Sequence, residues 1–256
     1  MKQAVLAVSF GSSVAQARSG PIAAVESALR AAVPQLPFYR AYTSLTIRRA
    51  LTKQGIVVPS LPQALEQRTS EGITHPFILP THLLPGIEYD KIKATAVQYA
   101  PRFAVLHLGR PLLGTPGDLR ELSRILMEHC LVREGENTLF MGHGTGHFAD
   151  VVYPALQAMF TMAGRTDLQI ATVEGWPALE DVIPSLTARK LKLRPLMLTA
   201  GEHARVDMAG SEKDSWLSRL TAAGFSVQPV FEGLGELPQV QSLYVRHLLA
   251  LMDKGE

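Results

Sequence analysis

The chain has 256 residues, enough for one large domain or two of roughly 125 residues each. With 46% hydrophobic and 19% charged residues it has material for a substantial core, and a formal net charge of +2 is too small to imply a nucleic-acid groove. The single cysteine, Cys130, excludes a disulfide framework and a multi-cysteine metal site, and it reads as core at the end of an amphipathic helix.

Ala4 to Phe10 is a short, continuous apolar run that ends at Gly11-Ser12-Ser13, the pattern of a buried parallel strand. It is too short for a signal peptide, and no segment approaches the roughly 20 apolar residues of a membrane span, so a cytoplasmic location is expected with no membrane partner. Pro21 suits the first turn of a helix that has Ile22, Val25, Leu29 and Val33 on one face. Strands follow at 38–43, 74–79 and 103–108, with helices from Ser44, at 62–68, at 88–99 and at 116–131. The second half repeats the plan, with strands at 138–141, 168–173, 193–198 and 225–230. Its helices are expected at 153–162, at 178–188, from a capping box at Ser211-Glu212-Lys213-Asp214, and from Pro238.

Strands alternating with helices imply an α/β fold of parallel sheets joined by right-handed crossovers. The halves also echo each other. Ala7-Val8-Ser9-Phe10-Gly11-Ser12-Ser13 parallels Leu139-Phe140-Met141-Gly142-His143-Gly144-Thr145, and the stretch ending at His82 parallels the one ending at His203. Two similar domains are expected, residues 1–134 and 135–256, each a parallel sheet flanked by helices with a ligand cleft between them. The second carries the metal site, and the terminal helix is free to pack back on the first.

Three strands of the second half run into a group able to bind a metal: His143, Glu174 and His203. Neighbouring strands lie about 4.8 Å apart, so groups at three adjacent tips can fall within roughly 10 Å of one another. Two imidazoles and a carboxylate suit cobalt, iron, nickel or zinc better than calcium. A phosphate-binding enzyme is a weak alternative, since Gly142-His143-Gly144-Thr145-Gly146 lacks the lysine and the spacing of a nucleotide loop, and Ser9-Phe10-Gly11-Ser12 is not a nucleophile elbow.

Met141-Gly142-His143-Gly144-Thr145, Thr172-Val173-Glu174-Gly175 and the segment from Ala200 to Gly210 resemble, in order, the motifs of the anaerobic sirohydrochlorin cobaltochelatases, which are class II chelatases. Val8-Ser9-Phe10-Gly11-Ser12 and the segment from Thr81 to Tyr89 resemble that family's first-domain motifs. Val206 and Ser12 depart from the pattern, standing where a polar residue and a threonine are expected. The resemblance implies insertion of a divalent metal into sirohydrochlorin on the anaerobic route to cobalamin. Co2+ is the implied substrate metal, Fe2+ (for siroheme) or Ni2+ are the alternatives, and a carrier without turnover is the reading from another class. The implied ligands are His143, Glu174 and His203, with His143 also the proton acceptor.

Glu88 is a second catalytic candidate and a substrate contact; its competing role is that of an acid at a helix N-terminus. Gly11, Ser12 and Ser13 are candidates for turning backbone N–H groups toward substrate carboxylates, Phe10 for a further substrate contact, and Trp176 for walling the macrocycle or packing. Arg18, Arg48, Arg49, Lys91 and Arg205 are further candidate carboxylate partners. His147 is read as a neighbour of the site, and His75, His107, His129 and His247 as structural. The oligomeric state, including a homo-oligomer, is left open.

Overall fold

The computed structural model describes residues 1–130 and 135–253. Among them, eight strands form two four-stranded parallel sheets. The first contains β1 (Gln3–Ser9), β2 (Phe38–Tyr42), β3 (His75–Pro80) and β4 (His107–Leu108), in the order β2-β1-β3-β4. The second contains β5 (Glu136–Gly142), β6 (Leu168–Thr172), β7 (Lys190–Pro195) and β8 (Ser226–Pro229), in the order β6-β5-β7-β8. Both sheets are wound identically. Their central strands are buried along almost their whole length, which explains why β1 and β5 read as unbroken apolar runs rather than as alternating ones.

The chain divides into two compact units, Met1–Gly114 with the chain from Gly235 onward, and Thr115–Leu234. The helix Pro116–His129 goes with the second unit; the helix Pro238–Asp253 goes with the first, packing on the helix Ala23–Ala32 and on β3. The boundary placed at residue 134 on sequence grounds lies outside the described residues. In the first unit Leu6, Val8, Ile78, Leu61, Leu65 and Ile92 share a core. Below it, the phenol of buried Tyr244 donates to the Thr81 carbonyl at 2.8 Å, and burial pushes its pKa up. The second unit is built on Leu139, Met141, Leu193, Met208, Trp216 and Leu220. Cys130 is buried there as a free thiol, its pKa raised by burial. Among the described residues no helix is long and apolar enough to cross a membrane.

Several elements differ from expectation for local reasons. Pro21 lies inside a π-type turn, Arg18–Ile22, ahead of the helix Ala23–Ala32; a residue without an N–H cannot complete the regular ladder. β4 is two residues long instead of spanning 103–108. β7 runs from Lys190 to Pro195, three residues earlier than expected. Its alternation of buried Leu191 and Leu193 with Lys192 and Arg194 is real: the two cations pair with Glu136 and Glu232. The expected helix at 178–188 shortens to Leu179–Val182 and a 3-10 turn, Ile183–Ser185, where Pro184 removes an N–H. The helix expected from Ser211 starts at Trp216, and its cap is Ser215, which accepts the Ser218 N–H at 3.2 Å.

Strand register also corrects the internal echo. Ser9 pairs with Tyr42 and Gly142 with Thr172, so Ser9 and Gly142 are equivalent. The same hydrogen bonds continue past both strand ends. Ser44 N–H donates to the Phe10 carbonyl as Glu174 N–H does to that of His143; Thr81 N–H donates to Val8 as Leu196 N–H does to Met141. Phe10 is thus the counterpart of His143, and Gly11 of Gly144, with φ of +96° and +79°. The sequence echo was displaced by one residue. Pro80 matches Pro195, so His82 matches Met197 and not His203.

Candidate metal centre

His143 is the first residue beyond β5, at the centre of its sheet. The chain then turns sharply at Gly144, whose positive φ a side chain would strain; a Cβ there would lie 2.3 Å from the Gly175 nitrogen. That close approach lets the ladder run on beyond β6: Val173 N–H donates to Gly142 at 3.1 Å and Glu174 N–H to His143 at 2.8 Å. His143 and Glu174 therefore stand side by side, with Nδ1 of His143 3.8 Å from Oε2 of Glu174.

His203 arrives differently. β7 ends at Pro195, and the chain follows an irregular path to a π-type turn, Ala204–Met208, whose leading residue is His203. Its ring meets that of His143 edge to face, with centroids 4.5 Å apart. Glu174 and His203 thus each lie beside His143, although His203 is not at a strand tip. Among the described residues no three His, Cys, Asp or Glu side chains form a ready-made metal cage.

Hydrogen bonding selects the tautomers. Nδ1 of His143 lies 2.9 Å from the Gly144 carbonyl, which can only accept, so Nδ1 is the donor of that contact and Nε2 is the nitrogen left to face a metal. Nδ1 of His203 lies 2.6 Å from Oδ2 of Asp207, with the same consequence. Sequence reasoning missed Asp207, although its spacing of four residues from a histidine in a helical turn was the available signal. It also missed Asp150 and Tyr153. The Asp150 carboxylate accepts the N–H groups of Thr145 at 2.9 Å and Trp176 at 2.8 Å. The buried Tyr153 hydroxyl accepts from Gly144 at 3.3 Å, and burial pushes its pKa up to about 12. His147 caps the short turn Phe148–Val151, its Nδ1 accepting from Ala149. Trp176 is 61% exposed, so it is not core.

In the first unit, Phe10 is 47% exposed, beyond what packing requires. Ser12 is buried, and its hydroxyl accepts the Val14 N–H. Arg18 donates to the carbonyls of Ser12 and Ser13, so it shapes the loop. Lys91 donates to Glu88, near the start of the helix Ile87–Tyr99. Burial pushes the Glu88 carboxyl up, but hydrogen bonds from Lys91 and Thr43, with the charges of Lys91 and His82, hold it below the usual range. His82 has Nε2 3.5 Å from the Thr43 hydroxyl and Nδ1 sealed without a partner; burial lowers its pKa to about 4. His129 pairs with Glu232, which also binds Arg194, a structural network of the second unit.

The family model described as Cobalt chelatase (CbiK) matches residues 3–253. The sirohydrochlorin cobaltochelatase of Salmonella typhimurium is 37% identical over 253 residues, spanning 97% of this chain and 96% of that protein. Sirohydrochlorin cobaltochelatase CbiKC of Nitratidesulfovibrio vulgaris is 33% identical over 261 residues, 98% of this chain and 91% of that protein. Among solved structures, SirB from Bacillus subtilis with Fe3+ aligns over 100% of this chain and 98% of its own, with a TM-score of 0.66 and 16% identity, a likeness of fold alone. Sheets, loop motifs and near-complete coverage agree, and the chain belongs to the cobalt chelatase (CbiK) family.

Proposed function

We propose that this chain inserts Co2+ into sirohydrochlorin, on the anaerobic route to cobalamin. The reading draws on the family and on two relatives of near-equal length, both named sirohydrochlorin cobaltochelatases. The observation that carries it is the approach of His143 to His203, at 4.5 Å between ring centroids, with the Glu174 carboxylate 3.8 Å from His143.

Insertion exchanges one divalent ion for two pyrrole N–H protons, so a proton acceptor must stand where the metal departs. With Nδ1 committed to the Gly144 carbonyl, His143 has only Nε2 to offer. It holds the ion first and takes one of the two protons once the ion has left; the other leaves to bulk water. His203, oriented by Asp207, is the second donor, and Glu174 the third, offsetting positive charge. Three protein donors leave coordination positions for the macrocycle nitrogens, whereas a closed fourfold set would keep the metal as a structural ion. Glu88 is assigned a catalytic acid–base role, and Phe10, Gly11, Ser12, Ser13, Glu88 and Trp176 are assigned to the macrocycle.

The test is anaerobic insertion followed by visible absorbance, with Co2+ and Fe2+ supplied separately and in competition. Co2+ should be preferred. His143→Ala should lower the rate at least about 100-fold while macrocycle binding persists. A preference for Fe2+ would make the chain a siroheme enzyme, and absence of insertion by the unaltered protein would make it a carrier.

A further inference from the structure

Asp150 belongs to the turn Phe148–Val151 and contributes no donor to the proposed metal centre, yet its carboxylate joins the two loops that carry His143 and Glu174. Oδ1 accepts the N–H of Thr145, two residues after His143, and Oδ2 accepts the N–H of Trp176, two residues after Glu174. Between clasp and donors the loops touch backbone to backbone, at Gly144 against Gly175. Gly175 also lies flat on the carboxylate: a Cβ there would sit 2.2 Å from Oδ1. An ionised carboxylate receiving two backbone N–H groups makes stronger, more directional bonds than a neutral acceptor. A neutral amide cannot replace it, because one of its two heads is a donor that would face another donor.

Resting on the metal-centre reading above, we infer that Asp150 is a positioning residue that fixes the separation of His143 and Glu174 and so sets the affinity of the protein for Co2+. Groups that orient metal ligands in this way typically change affinity or activity by about 10–100-fold when removed.

The experiment measures Co2+ affinity of the full chain, without macrocycle, by competition with a chromophoric chelator. The variants are Asp150→Asn, Glu174→Gln and the double variant, with His143→Ala as a control. Asp150→Asn should weaken binding by about tenfold or more when Glu174 is present, and by less than about twofold once Glu174 has been replaced, because the two act as one unit. Gly175→Ala keeps the carboxylate but forces the clasp open, so it should reproduce the loss; it serves as well if Asp150→Asn folds poorly. Equal losses from Asp150→Asn with and without Glu174, or no loss, would overturn the positioning role while leaving the metal centre intact. Unchanged affinity in both Glu174→Gln and His143→Ala would overturn the metal centre itself, and the positioning role with it.

Discussion

The two units are one design used twice, and the places where they part are the places where chemistry enters. Both centre on a buried strand, β1 or β5, flanked by the same neighbours in the same order. Both continue the ladder past the strand end with the same hydrogen bonds, and both turn at a glycine of positive φ. Against that constancy, one unit has Phe10 and Ser44 where the other has His143 and Glu174. The path out of the third strand differs as well. In the first unit residues 81–86 lead straight into a helix, whereas in the second residues 196–215 take a long detour that delivers His203. Backbone geometry at a sheet's carboxyl edge is therefore a generic platform. Two side chains and one lengthened loop make it a candidate metal centre.

The equivalence can be attacked first at the paired glycines. Gly144→Ala and Gly11→Ala each force a side chain into the left-handed region and into an occupied space, the Gly175 backbone in one case and the buried Tyr42 ring in the other. Each should destabilise the protein by about 3 kcal/mol in urea unfolding. Their effects on Co2+ binding should differ sharply. Gly144→Ala displaces Glu174 from His143 and should weaken binding at least about tenfold, while Gly11→Ala should leave it nearly unchanged. Equal losses of Co2+ affinity would mean that the metal is not confined to the second unit.

A smaller effect separates the units by pH. His82 stands where the second unit has Met197, and burial lowers its pKa from the usual 6.5 to about 4. Between those values the unfolded chain binds a proton that the folded chain refuses, so stability is lost as pH falls from about 6.5 towards 4. From pH 7 to pH 5 this one group should remove about 2 kcal/mol. His82→Met supplies the counterpart's residue and abolishes the difference, so the urea midpoint of the variant should fall less steeply with acid than that of the unaltered chain. Parallel pH profiles would refute the burial of a neutral imidazole at this position.

What the sequence disclosed follows from what leaves a periodic or compositional trace. Alternating strands and helices, and the glycine-flanked His143 at the end of an apolar run, were legible because a buried parallel strand must be apolar throughout and its turn must be small. The same uniformity hid the register: a strand buried on both faces has no in–out alternation to fix it, hence the one-residue slip between the halves. The shared positive-φ glycines, Gly11 and Gly144, would have anchored it. His203 was picked out as the group following an expected strand at 193–198, but β7 ends at Pro195, and the irregular path that carries His203 has no period to read. Asp150 stayed hidden because its partners are backbone N–H groups, which no residue type advertises.

The smallest expected effect tests whether the two substituted side chains alone distinguish the units. Phe10→His with Ser44→Glu places in the first unit the imidazole and carboxylate of the second, on loops already joined by the Ser44 to Phe10 hydrogen bond. Phe10 is half-exposed, but Ser44 caps the helix Leu45–Lys53 by accepting the Ile47 N–H, so the double variant should lose about 1 kcal/mol of stability, the cost of that cap. A third donor is still missing: the short 81–86 connection brings no counterpart of His203, and His82 has one nitrogen sealed and the other against Thr43. Two donors on a half-exposed surface hold a divalent ion weakly, so Co2+ titration of the double variant should still saturate at one equivalent. Uptake of a second equivalent with comparable affinity would show that the long 196–215 loop is dispensable for holding the metal, and that the difference between the units resides in two residues rather than in the path of the chain.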